Sequence, residues 1–276
     1  HQLILRKIGQ FVPPTKEAVS HFYDTLRFLY KIGARATLFF QGELVYHFPE
    51  IVKESLKNGH EIASHGYKHI PLWRMTPGEF REDLSLSLKI LEDISGQRIK
   101  GYRAPLFSLT PATQWAWDIM AELGIEYSSS VSPLRFTPID SIVRVDNSKL
   151  VELPITCIKK LGKKWNVSGG RMLRFLPPSV ISSYLKGLNE IGKPFILYFH
   201  IYELAHSLKP HLNNLPLFAK SKILLYYSLY TLLSGRIPLC IFELTKRFPF
   251  APITDMLQDL KIQIPSFNRI SRAFLT

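Results

Sequence analysis

Segments of strand length alternate along this chain with segments of helical spacing, and that alternation restricts the fold more than any other feature. Residues 34–40 (ARATLFF) are apolar and aromatic and read as a buried strand. Residues 49–57 follow with helical spacing and stop at Asn58-Gly59, and 61–64 read as a short strand. Thr76-Pro77-Gly78-Glu79 has the composition of a capping box with proline in the first turn. It opens a helix that runs to about Ile94, before Ser95-Gly96. The pattern then recurs. A strand is expected over 98–103, a helix from Thr110-Pro111 to near Gly124, and a strand over 125–129. A looser β-rich stretch over 133–166 includes 150–155. A helix over 177–188 and a strongly apolar strand over 194–200 (PFILYFH) follow, and a helix-like stretch over 15–30 precedes them all. Repeated β–α alternation predicts an α/β fold, with a parallel sheet or a (β/α) barrel.

The 276 residues, 46% hydrophobic, hold enough apolar material for one sizeable core. No repeat of fixed period and no low-complexity linker divides them, so a single domain over 1–276 is expected. Cys157 and Cys240 fit no CxxC pattern and read as small buried hydrophobes. The formal charge of +13 admits nucleic acid, an anionic membrane or an acidic polymer as partners. The cations are spread in ones and twos, with the densest group at Lys159, Lys160, Lys163 and Lys164. A solvated basic surface is therefore expected, and no nucleic-acid partner.

No run of 18 apolar residues and no signal peptide is seen, so a cytoplasmic or inner-membrane-associated protein is expected. Residues 223–233 (ILLYYSLYTLL) are apolar all round but too short to span a bilayer. They read as a helix buried on the outside of the fold. The other reading is peripheral docking on a membrane or partner through 215–250, with Lys220, Lys222 and Arg236 flanking the helix. The oligomeric state is left open.

His65 and His69, in SHGYKH, stand four residues apart. On a helical turn such a pair faces one way, and two neutral imidazoles then converge on one ion, most commonly zinc. With nine histidines in the chain the spacing alone is weak. Its position directly after a strand, where α/β barrels place catalytic groups, gives it weight. Gly66 stands where a zinc protease carries its glutamate, so a base and a third ligand must come from elsewhere. Arg103, in GYRAP, ends another strand and can hold a carboxylate by a bidentate pair; a surface arginine before a turn is the plainer reading. His200 ends the most apolar strand, placed for acid–base work or as a hydrogen-bonded core histidine.

GHEIASHGYKH (59–69), GYRAPLFSLTP (101–111) and YFHIYEL (198–204) together resemble the polysaccharide deacetylases of the NodB-homology type, carbohydrate esterase family 4. The resemblance covers about residues 31–253. SGGRMLRFLP (168–177) resembles a motif of the branch found with exopolysaccharide and exosortase loci, which has its own C-terminal region, here from about residue 205. The resemblance implies a distorted (β/α) barrel with fewer than eight strands, a divalent metal, usually zinc, and hydrolysis of N-acetyl groups on an N-acetylated glycan. It implies that His65 and His69 are two of three protein ligands, that Arg103 positions the catalytic base, and that His200 protonates the leaving amine. The backbone N–H of Leu106 would help hold the oxyanion, with Tyr67 beside the substrate. Tyr67, Trp73, Phe107 and Tyr202 are candidates for stacking on sugar rings, and equally for packing.

The family's first motif, a strand ending in the acidic base and third ligand, is absent here. Glu17 and Asp24, the first carboxylates, lie in a helix-like stretch and are assigned neither role. A barrel lacking its first strand is therefore expected, and because the sequence opens at His1 the acidic strand is expected just upstream. Ser128 stands where the branch has aspartate, and Ile201-Tyr202 replace a frequent Pro-Trp. Three functions are weighed: a zinc-dependent deacetylase, a non-catalytic carbohydrate-binding homologue with a degenerate site, and a basic scaffold on membrane or nucleic acid. The third leaves the histidines unexplained.

Overall fold

Thr76 and Glu79 close the expected capping box: the Glu79 N–H donates to Thr76 Oγ1 at 3.3 Å, and the Thr76 N–H donates to Glu79 Oε2 at 2.7 Å. The helix they start ends at Gly96, whose φ of +69° is a conformation glycine adopts freely. This is a computed structural model that describes residues 16–136, 139–146, 148–204, 216–218, 220–221, 224–225, 228, 233, 235–259 and 264–267. Its N-terminal helices are α1 (Lys16–Lys31), α2 (Gly42–His47), α3 (Glu50–Lys57), α4 (Pro77–Ser95) and α5 (Ala116–Glu122). They alternate with strands β1 (Thr37–Phe40), β2 (Glu61–Ser64), β3 (Gly101–Tyr102) and β4 (Tyr127–Ser128). There follow β5 (Val143–Val145), β6 (Val151–Glu152), β7 (Cys157–Lys160), β8 (Lys163–Asn166), α6 (Gly170–Phe175), α7 (Pro178–Glu190), α8 (Arg236–Thr245), α9 (Ile253–Asp259) and β9 (Ser266–Phe267).

Seven of the described strands form one sheet in the order β1-β2-β3-β4-β6-β5-β9, with β1 at an edge. The run from β1 to β6 is parallel, and β5 pairs antiparallel with β6. The register aligns Phe40, Ser64, Tyr102, Ser128 and Glu152 in one row. That row faces the helices: Phe40 meets Phe22 of α1, Ser64 Oγ lies 2.9 Å from Ser87 Oγ of α4, Tyr102 meets Phe80 of α4, and Glu152 accepts from Trp117 of α5. Strand alternation therefore turns the next residues, His65, Arg103 and Ser129, to the opposite face. The principal core lies between sheet and helices. Phe80, Leu84, Leu91 and Met120 are fully buried there, each worth about 1.5–3 kcal/mol.

At the far end of the strands Glu61 ties the fold together. Its carboxylate accepts from Thr37 Oγ1 at 2.5 Å, from the Tyr127 hydroxyl at 2.7 Å and from the Thr254 N–H at the start of α9 at 3.2 Å. A second core joins α6, α7 and α8 and contains buried Cys240. Cys240 is buried as expected, Cys157 only half-buried, and desolvation pushes both thiols up to about 11.

Several expected elements differ. Residues 194–200 are not a strand. Their one ladder contact is a bridge between Tyr198 and Gly169, and the Ile196 N–H donates to the Thr156 hydroxyl at 2.7 Å where a strand would use a carbonyl. The apolar pattern has its cause in packing, since Phe195, Leu197 and Phe199 meet the second core while Ile196 faces away from it. The strands expected over 98–103, 125–129 and 150–155 shorten to two residues each. The helix expected from Thr110 divides, because the Thr113 hydroxyl bonds back to the Ser108 carbonyl at 2.9 Å and closes a separate turn, Pro111–Thr113. Most of 223–233 lies outside the described residues. Leu224 and Leu225, which are described, are exposed, against the expected burial.

Candidate active site

The parallel ladder continues one residue past β2 and β3. The His65 N–H donates to Phe40 O at 2.7 Å, and the Arg103 N–H donates to Ser64 O at 2.9 Å, so both residues stand at strand ends on one face. His65 Nδ1 lies 2.6 Å from the Arg103 carbonyl oxygen. A carbonyl only accepts, so Nδ1 carries the proton and Nε2 is left as a lone pair. Burial, and then the neighbouring imidazole of His69, hold the pKa of His65 well below the usual range; the hydrogen bond to the Arg103 carbonyl opposes this, and the charges of Arg103 and His200 add to the depression. His65 is thus a neutral donor at pH 7. Its ring centroid is 4.8 Å from that of His69, with the planes 69° apart.

The pair does not sit on a helical turn, as the spacing suggests. The chain bends through Gly66 at φ +75° and His69 at φ +56°. Asp83 of α4 holds this bend: its carboxylate accepts from the Tyr67 N–H at 2.7 Å and the Lys68 N–H at 3.0 Å. A Cβ on Gly66 would lie 2.7 Å from Asp83 Oδ2, so glycine is what lets the carboxylate close on the loop. Tyr67 is not brought to the other candidates. Its N–H is taken by Asp83 and its ring packs on Gly42 of α2.

The Arg103 guanidinium lies 4.1 Å over the Phe39 ring, with Phe107 at 5.5 Å and Tyr198 at 5.8 Å. It donates from Nε to Ser129 O at 3.1 Å and from Nη2 to Ser129 Oγ at 2.8 Å. Burial brings its pKa down to about 10, which leaves it a cation at neutral pH. Among the described residues no carboxylate forms an ion pair with it. The loop carrying Ser129 is fixed by buried Glu152, which accepts from the Ser130 N–H at 2.7 Å, the Val131 N–H at 2.9 Å and Trp117 Nε1 at 3.1 Å. Burial raises the pKa of Glu152, and these hydrogen bonds oppose it.

Leu106 has φ +60° and Phe107 φ +50°, a conformation that costs a side-chain-bearing residue about 1–3 kcal/mol. The carbonyl of Leu106 accepts from Arg135 Nη1 at 2.9 Å, while its N–H donates to no acceptor among the described residues. His200 opens the turn Ile201–Glu203, with its side chain 52% exposed. Buried Glu203 takes the His200 N–H at 2.8 Å and stands 3.2 Å from Nδ1, and its other oxygen is 3.8 Å from Arg174. Tyr202 stacks on the His200 ring at 5.0 Å. The paired glycines of SGGRMLRFLP now have a reason: a Cβ at Gly169 would overlap the Tyr198 phenol, and one at Gly170 would overlap the Glu203 carboxylate.

Ring centroids 4.8 Å apart leave room for one ion between the imidazoles at metal–nitrogen bonds of about 2.0–2.1 Å. Among the described residues no group of three or more His, Cys, Asp or Glu is placed to hold an ion. His1, His206 and His211 lie outside those residues.

Residues 14–128, which contain both histidines, Arg103 and Leu106, match the profile of the family described as polysaccharide deacetylase. Residues 14–128 are thus of polysaccharide deacetylase type. Residues 129–258, which contain His200 and Glu203, match a domain of unknown function, DUF3473. The chain is 30% identical over 123 residues to a peptidoglycan deacetylase of Helicobacter pylori, covering 45% of this chain and 40% of that protein. It is 30% identical over 92 residues to the peptidoglycan-N-acetylmuramic acid deacetylase PdaC of Bacillus subtilis, covering 33% and 19%. It thus spans less than half the length of these curated relatives. In fold it is similar to the crystal structure of a Mycobacterium smegmatis protein assigned as a polysaccharide deacetylase, with TM-score 0.61, 20% identity, and 92% and 82% of the two chains covered. The mixed α/β fold with its parallel sheet is that of the NodB-type distorted barrel.

In this stretch of polysaccharide deacetylase type, then, His65 touches both His69 and Arg103, and the Leu106 N–H, three residues later, donates to no acceptor among the described residues. Sequence reasoning missed Asp83, Ser129, Glu152 and Glu203. Glu152 carried a readable signal, a lone carboxylate between Val151 and Leu153 in a β-rich stretch. Glu203 carried another, three residues after His200. Asp83 lies within the helix that buries Phe80, Leu84 and Leu88, and nothing local marks it out.

Proposed function

We propose that this constellation is a metal-dependent amide-hydrolysing site that removes N-acetyl groups from an N-acetylated glycan of the cell envelope or an exopolysaccharide. The observation that carries the reading is the neutral imidazole of His65, its Nε2 unprotonated beside His69, fastened to a desolvated Arg103 that has no carboxylate partner. His65 and His69 would hold the ion, zinc in this reading, which would supply Lewis acidity and lower the pKa of a bound water. Arg103 would position the carboxylate that serves as general base. The Leu106 N–H donates to the oxyanion as the acetamide carbon becomes tetrahedral. An amide nitrogen leaves readily only when protonated. The His200 imidazolium gives that proton from Nε2 while Nδ1 stays on Glu203.

The test is acetate release from N-acetylated oligosaccharides by the full-length gene product. Loss with chelator, recovery with zinc and loss in His200→Ala are expected. Activity that survives chelator or His200→Ala would overturn the reading. A second reading, a non-catalytic carbohydrate-binding homologue, is favoured because among the described residues no group of three or more His, Cys, Asp or Glu is placed to hold an ion. It predicts glycan binding without acetate release by the same gene product.

A further inference from the structure

β7 and β8 form a two-stranded hairpin apart from the main sheet. Its register sets Lys159 directly opposite Lys164 and Lys160 directly opposite Lys163. Like charges at such positions repel. Asp140 lies 3.6 Å from Lys164, and Lys160 reaches the Tyr184 hydroxyl at 3.2 Å. Lys159 and Lys163 form no ion pair among the described residues. The turn between the strands is Leu161-Gly162, at φ +52° and +73°. Two-residue turns with positive φ at both positions favour Asn-Gly, because a branched apolar residue is strained there. Here the first position is leucine, 92% exposed. Trp165, 50% exposed, shares the face of Lys160 and Lys163, opposite Ile158. One hairpin therefore combines repelling lysines, a strained turn leucine and apolar side chains in water. None of these features packs a core or reaches the candidate active site.

An anionic lipid surface answers the charge repulsion and the exposed apolar side chains. Headgroup charge neutralises the lysines, the acyl boundary takes up leucine, and indole is enriched at headgroup depth. We propose that the hairpin is a docking element for an anionic phospholipid bilayer, with Leu161 entering the interface, Trp165 at the headgroups and the exposed Lys159, Lys160 and Lys163 on their negative charge. A water-soluble polyanion satisfies the lysines equally well but leaves Leu161 in water, which is why the lipid is preferred.

The test is co-sedimentation of the full chain with phosphatidylcholine vesicles, with and without phosphatidylserine. Binding is expected only with phosphatidylserine and should weaken with salt. Lys159→Gln/Lys163→Gln should weaken it about fivefold for each lysine removed. Leu161→Asn, which suits the turn and keeps the hairpin folded, should weaken it about tenfold. Absence of binding to phosphatidylserine vesicles at low salt overturns the proposal. Binding that Leu161→Asn leaves unchanged also overturns it, and if the lysine variant alone then loses binding to duplex DNA or an acidic polysaccharide, the hairpin serves a soluble polyanion.

Discussion

The Nδ1–H of His65 donates to the backbone carbonyl of Arg103 at 2.6 Å, so a candidate metal ligand and the candidate base-positioning cation are fastened together through the main chain of β3. The bond depends on the carbonyl of Arg103 and not on its side chain, which separates the two functions experimentally. Arg103→Met keeps the carbonyl and removes the fork. Zinc affinity should stay within about threefold, while acetate release by the full-length gene product falls about 100-fold or more. A parallel loss of both would mean that the guanidinium, not the backbone, holds His65.

Asp83 acts on the metal site at one remove, by accepting from two N–H groups of the loop between the histidines. Asp83→Asn keeps the size but loses the charge that both donors share. Supports of this kind change metal affinity about 10–100-fold when removed. Titration calorimetry with zinc should show a drop in that range, and an unchanged affinity would show that the bend holds itself.

Glycine at 170 makes room for Glu203 and hence for His200. Gly170→Ala should lower stability by about 1–3 kcal/mol through overpacking. Gly187 in α7 is the control, because a Cβ there meets nothing within 4 Å, and Gly187→Ala should be neutral or stabilise by about 0.5–1 kcal/mol. Denaturant unfolding of the two variants decides, with equal effects contradicting the close approach of Glu203.

Much of this fold is legible in the sequence because its signals are local. Thr76, Glu79 and Gly96 fix a helix with groups a few residues apart, and Glu61 to Ser64 reads as a strand from its own composition. What escapes is set by contacts distant in sequence. The run 194–200 has the composition of a strand, yet the Thr156 hydroxyl forty residues away takes the Ile196 N–H. The site divides in the same way. The histidines, Arg103 and His200 carry readable motifs, whereas the spacing of His65 and His69 suggests a helical turn and their juxtaposition is made by Gly66 and by Asp83 from another helix. Tyr67, between the same two histidines, faces α2 for the same reason.

His60 gives a pH dependence. It is buried, and its Nδ1 accepts from the Ala36 N–H at 3.2 Å, which a protonated ring cannot do. Burial, then the charge of Arg35, lowers its pKa below 6.5. The unfolded chain therefore binds the proton more readily. Its contribution to stability is complete above about pH 6.5 and is lost as pH falls below that value. His60→Asn, which can still accept from Ala36, should flatten the fall in melting temperature between about pH 6.5 and 5. An unchanged slope would place the acid sensitivity elsewhere.

The account rests on His65 and His69 acting together on one ion, and zinc titration by calorimetry tests this most directly. One zinc per chain is expected, with affinity reduced about 100-fold or more in both His65→Ala and His69→Ala and unchanged in His47→Ala. Zinc that binds either variant as well as the parent chain, or no zinc bound at all, would contradict it.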